Sequence, residues 1–373
     1  MTEGMPPARR RIELTDGLVR LRAHTSADID RIVEQSNDPE SMQWTPLPRP
    51  YGPDEAREFL AHIEAAWADP KGHRSWAIEE VAAPGVYLGT IDLRPRGLSA
   101  EVGFGLHPQG RGRGVMSGAL RLVCRYWFST GGQQVTWWAN RGNWASWRVA
   151  WACGFTHRGT LPGYLTDEHG AVDAWVATLL AEDPMDPLTP WSEPPVIESA
   201  TDGLRLRPWR DQDVDTMEDR DQPAHFMPAR GILDQATFPE WLLVRRERMS
   251  WGKTLSWAIA DLASDRALGE VLLFVHEGTL DDDTAELGYQ VVPSARGRGV
   301  ASAATRLAVA HAFAPREAGG LGLRRLVAQT AQDNAASNGV LTQAGFTVWG
   351  RESAADLLPN GRGNDALHWE LLS

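Results

Sequence analysis

A glycine- and arginine-rich loop occurs twice in this sequence, and each copy lies between a short apolar segment and a longer apolar run. The first copy spans residues 109–114. Its glycines would let backbone N–H groups converge on a ligand without side-chain obstruction, and a following helix would add the positive end of its dipole. Such a loop suits a pyrophosphate, so we expect a phosphorylated cofactor. The residues expected to bind it are Gln109, Arg111, Gly112, Arg113, Gly114 and Val115.

The second copy spans residues 294–299 and is followed by another apolar run. The two copies keep one register, since Glu101 and Glu286 are 185 positions apart, as are Gly112 and Gly297 (286 − 101 and 297 − 112). No Lys-Ser or Lys-Thr pair follows the last glycine, which argues against a Walker A loop. The repeat indicates a duplicated domain. Its own set of expected cofactor-binding residues is Arg296, Gly297, Arg298, Gly299 and Val300.

Further segments recur in the same order and predict the same elements in both halves. Each half opens with a strand and a helix start, the latter at Asp28 and at Asp213, and continues with two strands joined by a turn. An Asn-x-x-Ser segment later opens a helix that ends in Gly-Phe, and a hairpin closes each half. The central helices are predicted over 115–128 and 300–313, and the strands that follow them over 135–139 and 326–330.

A segment with five prolines, residues 184–195, separates the two copies. Proline excludes helix and favours an extended, semi-stiff chain, so this segment is typical of a linker. We therefore expect a first domain over 1–182, a linker over 183–196 and a second domain over 197–373.

Composition narrows the classes of protein to which the chain could belong. The net charge of −12 argues against a nucleic-acid partner. Only two cysteines occur, Cys124 and Cys153, so no disulfide framework exists and a reducing compartment is expected. The sequence shows no signal peptide and no apolar run of membrane-spanning length. These features predict a cytoplasmic protein that has no membrane partner.

The loop and its surroundings resemble the GNAT superfamily of acyltransferases, whose Gln/Arg-x-x-Gly-x-Gly/Ala signature binds coenzyme A. Residues 109–114 match that signature in full, whereas the second copy has Ser294 at the first position. The Ala-Glu-hydrophobic-Gly-aromatic strand, the Asn-x-x-Ser helix and the Gly-Phe closure resemble the branch that acetylates ribosomal-protein N-termini. The resemblance implies an α/β (α+β) fold with two GNAT-fold domains. Each would be a mixed, largely antiparallel sheet with flanking helices and a splayed acetyl-CoA cleft.

The resemblance also implies roles for residues near each loop. In the family, the motif strand pairs with the pantetheine arm, and a backbone N–H polarises the thioester carbonyl. An asparagine of the next helix bonds the pantetheine or holds the cleft wall. Many members use a tyrosine seven residues later as the acid, but here Ala150 and Leu341 stand there, and the ribosomal-protein branch is thought to use a serine. The residues implied are Leu106, His107, Val291 and Val292 on the strands, Asn143 and Asn334 on the walls, and Ser146 and Ser337 as acids.

Glu101 and Glu286 are the candidate general bases, because transfer of an acetyl group to an amine requires a neutral nucleophile. Strand alternation places Glu101 on the same face as Gly103 and Gly105. Burial raises the pKa of a carboxylate, as a base that works near neutral pH requires. The alternative is that each glutamate only anchors a neighbouring strand or loop. For the two serines, the alternative is helix capping.

Seventeen tryptophans are the main anomaly of the composition. Trp144, Trp147 and Trp151 recur at helical spacing and lie on one helix face. We interpret them as packing residues, with an aromatic-walled pocket for a planar or cationic acceptor as the alternative. The histidines show no metal-ligand spacing, so no metal is assigned.

These observations predict an acetyl-CoA-dependent N-acetyltransferase that acts on a primary amine, in a small molecule or at a protein N-terminus. The first alternative is a sensor or scaffold that binds coenzyme A or acyl-CoA, with one or both domains catalytically inactive. The second is an interaction module with a Trp-rich docking face. The segments expected to contact the acceptor, after Ser41 and after Asp221, carry no readable signature.

Overall fold

Each half of the chain folds around its own eight-stranded sheet in the computed structural model of the protein. The two units are Met1–Leu188 and Thr189–Ser373, and the division between them falls within the proline-rich segment. The structure describes residues 11–69, 72–167, 170–219, 233–280, 282–357 and 361–373. No helix in these ranges is both long enough and apolar enough to cross a membrane.

The sheet of the first unit has the strand order β1-β2-β3-β4-β5-β6-β8-β7, and only β5 and β6 run parallel to each other. Five α-helices accompany it in the part of the first unit that the structure describes. The strands are β1 (Leu14–Thr15), β2 (Val19–Arg22), β3 (Arg74–Glu80), β4 (Gly89–Arg96), β5 (Ser99–Leu106), β6 (Gln134–Asn140), β7 (Thr156–Asp167) and β8 (Gly170–Leu180). The helices are α1 (Ile29–Ser36), α2 (Pro39–Trp44), α3 (Pro53–Ala68), α4 (Val115–Ser129) and α5 (Trp144–Ala152).

The second unit repeats this order as β9-β10-β11-β12-β13-β14-β16-β15, again with one parallel pair, β13 and β14. Its strands are β9 (Ile197–Ser199), β10 (Leu204–Arg207), β11 (Thr254–Asp261), β12 (Ala267–Phe274), β13 (Thr284–Val291), β14 (Arg325–Ala331), β15 (Thr347–Leu357) and β16 (Gly363–Leu372). Its α-helices are α6 (Phe238–Ser250), α7 (Val300–Phe313) and α8 (Ala335–Gln343). The predicted central helices, the strands that follow them and the closing hairpins are thus confirmed in both units.

The parallel pair opens at the same place in each sheet. Strands β5 and β6 pair only from Ser99 to Val102, and β13 and β14 pair only from Thr284 to Glu286. Beyond these residues, β5 and β13 stay paired with β4 and β12 on their other side. Each sheet is therefore splayed at its motif strand, as expected, and each unit is a mixed, largely antiparallel sheet with flanking helices.

The helix start predicted at Asp213 differs from its counterpart in the first unit. Asp28 ends a short 3-10 turn that continues into α1, whereas Asp211–Thr216 is itself a 3-10 helix. Both aspartates are buried and accept two hydrogen bonds from a strand arginine, Arg22 or Arg207. The buried ion pair, rather than an α-helix, is what the two copies share here.

The tryptophans of the first unit pack mainly against other aromatic rings. Trp147 is buried, and its ring lies 5.6 Å from that of Trp137 on β6. The rings of Trp144 and Trp175 lie 4.7 Å apart. Because these contacts cover the faces of the rings, they support the interpretation of the helical stripe as packing.

Candidate functional site

The two glycine loops have the backbone geometry of a ligand cradle. Gly112 and Gly114 have φ angles of +71° and +74°, and Gly297 and Gly299 have +71° and +76°. Residues with a side chain rarely adopt these angles, so glycine is required. A Cβ added at any of the four would meet no atom within 4 Å, which means that the space beside each loop is open.

Backbone donors accumulate at each loop. Among the described residues, none accepts a hydrogen bond from the N–H groups of residues 112–115 or 297–300. Helices α4 and α7 begin directly after Gly114 and Gly299, and neither has a side-chain cap. Free N–H groups at a helix N-terminus form an anion site. Both loops therefore fit the pyrophosphate of coenzyme A.

The loop arginines differ between the units. Arg111 donates hydrogen bonds to three residues in or next to α2: to Asp38, to Glu40 at 2.8 Å and to the Ser41 hydroxyl. Arg113 binds Glu80. In the second unit, Arg298 forms no ion pair with any residue that the structure describes. The arginines of the first loop are thus paired with carboxylates, whereas Arg298 has no such partner among the described residues.

Two backbone N–H groups on each motif strand were candidates to polarise the thioester, and only one of each pair faces the open side of the sheet. The N–H groups of His107 and Val292 donate to the carbonyls of Leu88 and Leu268, both at 2.9 Å. Neither is therefore free to polarise a thioester. In an antiparallel ladder the next residue faces the other way, so the N–H groups of Leu106 and Val291 are directed away from β4 and β12. They face the side from which β6 and β14 have diverged.

His107 and Gln109 belong to a polar cluster in the first unit. The imidazole of His107 is buried, and its Nε2 lies 3.0 Å from a Glu34 oxygen. Arg31 approaches His107 Nδ1 at 3.1 Å and donates to the Gln109 amide oxygen at 3.0 Å. These contacts tie α1 to the loop, which gives His107 and Gln109 a structural role.

Glu101 lies in a double ion pair. Its carboxylate is 2.8 Å from Arg94, the residue directly opposite on β4, and 3.2 Å from Arg96. Two charge-assisted contacts of this kind hold a carboxylate firmly in place. This arrangement corresponds to the anchoring alternative.

Glu286 has a different environment at the corresponding place. The residue directly opposite on β12 is Phe274, and the carboxylate instead lies 2.9 Å from His276 Nε2. The Glu286 side chain is 22 % exposed. The Glu286 carboxylate is therefore accessible and has no arginine partner among the described residues.

Asn143 and Asn334 cap the helices α5 and α8. Each side-chain oxygen accepts a hydrogen bond at 3.1 Å from the backbone N–H of the serine three residues later, Ser146 or Ser337. The oxygen atoms are thus occupied, and the side-chain amide donors remain for a ligand. The Ser146 hydroxyl accepts a hydrogen bond from the indole of Trp137 at 3.1 Å.

Ser337 instead bonds to a tyrosine that the sequence analysis missed. The hydroxyl of Tyr289, on β13, lies 2.8 Å from Ser337 Oγ and donates to the Ser337 carbonyl at 3.1 Å. Burial raises the pKa of Tyr289 to about 12, against an opposing hydrogen bond from Ser337. The matching position of the first unit is Phe104. That difference between aligned copies was the signal that could have identified Tyr289.

A cavity of about 1090 Å³ in the second unit brings most of its expected residues together. The motif strand forms one wall, the glycine loop and the start of α7 form an end, and α8 forms the opposite wall. The expected residues that line it are Glu286, Val291, Val292, Arg296, Gly297, Gly299, Val300, Asn334 and Ser337, and Tyr289 joins them.

The family of the chain follows from a model that matches both units. The model describes an acetyltransferase (GNAT) domain and matches residues 19–156 and 203–347. The chain belongs to the GNAT acetyltransferase family. Its two units are tandem GNAT domains, and the splayed sheets are where this fold forms its cleft. No curated protein sequence matches the chain.

Several solved GNAT structures are similar to part of the chain. A GNAT-family acetyltransferase from Bacillus anthracis is 17% identical with a TM-score of 0.41, covering 46% of this chain and 99% of that one. RimJ of Mycobacterium smegmatis, in complex with CoA-disulfide, is 19% identical with a TM-score of 0.40, covering 46% and 87%. Ribosomal-protein-S5-alanine acetyltransferase from Vibrio fischeri is 18% identical with a TM-score of 0.41, covering 46% and 97%.

Proposed function

We propose that this tandem GNAT protein is an acetyl-CoA-dependent N-acetyltransferase whose second unit performs the reaction. The observation that carries the proposal is one cavity that is lined by the second glycine loop, by Glu286 and by the hydrogen-bonded residues Tyr289 and Ser337. The acceptor is a primary amine, in a small molecule or at a peptide N-terminus. Two buried, unpaired cysteines support a cytoplasmic location.

Glu286 is the proposed base. Acetyl-CoA supplies an activated acetyl group when it is bound, and the amine must lose a proton before it can attack. The N–H groups of residues 297–300 and the charge of Arg298 would hold the phosphates. The Val291 N–H, on the open side of β13, would polarise the thioester carbonyl.

Tyr289 is the proposed acid, in place of the family's tyrosine that is absent at Leu341. Its hydroxyl keeps its proton over the physiological range because the pKa is raised to about 12. Ser337 holds that hydroxyl at 2.8 Å, so the serine would position the acid rather than act alone. The proton would pass from Tyr289 to the departing thiolate.

The first unit favours the second candidate function, cofactor binding without turnover. Glu101 is neutralised by Arg94 and Arg96, and Phe104 offers no hydroxyl. Its glycine cradle is nevertheless intact. We propose that this unit binds coenzyme A or acyl-CoA as a sensor or scaffold.

Thiol release from acetyl-CoA with a panel of amines and peptides tests the proposed activity. Gly297→Trp should abolish turnover and remove one coenzyme A site in calorimetry, because the side chain would fill the second cradle. The matched variant Gly112→Trp should remove the other site and leave turnover intact. The proposal fails if no acceptor releases thiol, or if Gly112→Trp rather than Gly297→Trp abolishes turnover.

A further inference from the structure

Arg248 is a cation in the wall of the catalytic cavity that has only neutral partners. It lies on α6, and its side chain lines the cavity. Its Nε donates to the Thr254 hydroxyl at 3.0 Å and its Nη2 to the Val275 carbonyl at 3.1 Å. No carboxylate among the described residues forms an ion pair with it. The two neutral acceptors fix the guanidinium, and no other described residue accepts a hydrogen bond from it.

The carboxylates of the same cavity are already bound to other groups. Glu270 is fully buried and accepts hydrogen bonds from four donors, two on Arg245 and one each on Ser256 and Gln290. Glu218 is bound by Arg266 and Ser294, and Glu286 by His276. Arg245 is therefore neutralised, and the positive charge of Arg248 is not.

The surroundings of Arg248 disfavour an uncompensated charge. Burial lowers the pKa of Arg248, and the neighbouring charge of Arg245 lowers it further. A partly buried cation without a counterion is costly, and an anion brought by a ligand would remove that cost. Guanidinium groups bind carboxylates and phosphates in a two-pronged geometry.

The position of Arg248 assigns that anion to the acceptor rather than to coenzyme A. Thr254, Phe274 and Glu286 lie opposite one another across β11, β12 and β13. On β12, Phe274 lies five positions after Gly269, which pairs with Val291 beside the glycine loop. That length of strand spans about 16 Å. Arg248 therefore lies at the level of the base, far from the phosphate cradle.

We propose that Arg248 binds a carboxylate or phosphate carried by the amine acceptor, so that the substrate is an amine with an anionic group at a short distance. This inference rests on the proposed function of the same cavity. Two strand spacings, about 10 Å, separate Thr254 from Glu286. Because Arg248, which bonds to Thr254, and Glu286 line the same cavity, the amine and the anion should be separated by a few bonds only.

Matched acceptor pairs test this inference directly. The probes are 4-aminobutyrate and 6-aminohexanoate against their amides, O-phosphoethanolamine against ethanolamine, and the peptide Ala-Glu-Ala-Ala amide against Ala-Gln-Ala-Ala amide. Wild-type protein should prefer at least one anionic member over its neutral partner by about ten- to a hundredfold in kcat/KM, the effect of one or two charge-assisted hydrogen bonds. The arms distinguish a carboxylate from a phosphate and a small molecule from a peptide.

Arg248→Gln should abolish this preference, and Arg248→Lys should keep part of it. Arg246→Gln is the matched control, since Arg246 lies on the same helix and pairs with the exposed Asp211. Calorimetric titration of the same probes into the coenzyme A-saturated protein makes the test independent of turnover. Thermal unfolding of each variant identifies any loss of fold.

The outcomes separate the inference from the function on which it rests. Equal use and equal binding of anionic and neutral probes by the wild type would overturn the inference and leave an acetyltransferase for neutral amines. A preference that survives in folded Arg248→Gln would also overturn it. If no amine is acetylated, the proposed function fails, while Arg248-dependent binding of an anionic probe would still establish the anion site.

Discussion

The two units place different residues opposite the same glutamate. Arg94 stands across from Glu101 on β4, and Phe274 stands across from Glu286 on β12. In the first unit this neighbour completes an ion pair, and in the second it leaves the carboxylate to a histidine. The cross-strand residue thus sets the partner of the motif glutamate, and we propose that it decides whether the glutamate anchors the sheet or acts as a base.

A second difference concerns the hydroxyl at the open end of the cleft. Phe104 and Tyr289 hold matching positions, and only Tyr289 forms a hydrogen bond with the serine at the start of the later helix, Ser337 on α8. In the first unit, the corresponding Ser146 is bound by a tryptophan instead. Both differences lie between copies whose glycine loops have the same backbone angles. The backbone geometry of the loop is thus the same in both units, and the residues that we propose for proton transfer are present in only one.

Of the variants that test this comparison, Glu286→Gln should lower kcat the most. Loss of a general base typically lowers kcat by about a hundred- to ten-thousandfold, and acetyl-CoA binding should be nearly unchanged. The matched variant Glu101→Gln should keep its turnover if, as we propose, the second unit alone performs the reaction. Steady-state kinetics and calorimetry on both variants would decide. Wild-type turnover in Glu286→Gln, or a collapse in Glu101→Gln alone, would reverse the assignment.

Phe274→Arg would break the comparison by giving the second unit the first unit's ion pair. Phe274 lines the cavity, so an arginine side chain has room, and its guanidinium would lie opposite Glu286. We expect kcat to fall about a hundredfold, since the carboxylate would bind a cation instead of a proton. The reciprocal Arg94→Phe should leave turnover unchanged. If Phe274→Arg turns over normally while folded, the cross-strand residue does not control the base.

The units should also differ in their stability in weak acid. Burial lowers the pKa of His24 to about 4, and the ring is hydrogen-bonded to Thr90 at 3.0 Å. The unfolded chain takes up its proton near pH 6.5, before the folded state does, so stability is lost as pH falls from about 6.5 to 4. The loss should reach about 3 kcal/mol. The matching residue of the second unit is Trp209, which does not titrate.

Hydrogen exchange, corrected for intrinsic rates, can measure this loss in each unit separately. Protection in β2, β3 and β4 should fall between pH 6.5 and 4.5 in the wild type. It should fall less in His24→Gln, which keeps a neutral polar group at that site. The same acid sensitivity in His24→Gln would show that other groups cause it.

The repeat and its motifs were sufficient to predict most of the fold. Glycine spacing, the Asn-x-x-Ser segments and the apolar runs are local signals, and the structure has the corresponding elements within one or two residues. The 3-10 helix at Asp211–Thr216 was not predicted, and the buried Arg207–Asp213 pair does not explain it, because the first unit has the equivalent pair at the start of an α-helix. The acceptor segment after Asp221 begins in residues 221–232, which lie outside the described residues.

The environments of the candidate site residues were harder to predict, because they depend on cross-strand register. Nothing near Glu101 in the sequence shows that Arg94, seven residues earlier, lies directly opposite it. The Tyr289–Ser337 contact joins residues 48 positions apart through the splay of the sheet. The network of Arg245 and Glu270, which leaves Arg248 unmatched, also forms only when α6 packs beside β12.

Among the variants expected to lose turnover, Tyr289→Phe should show the smallest loss. The variant keeps the buried ring and removes only the hydroxyl, so the fold and coenzyme A affinity should be unchanged. We expect kcat to fall about ten- to a hundredfold, less than for the base, because the Ser337 hydroxyl remains to pass a proton. The raised pKa keeps Tyr289 protonated, so the deficit should be constant between about pH 7 and 10. A Tyr289→Phe variant with wild-type kcat over this range would mean that the thiolate departs without help from this hydroxyl, and the second unit would then differ from the first in its base alone.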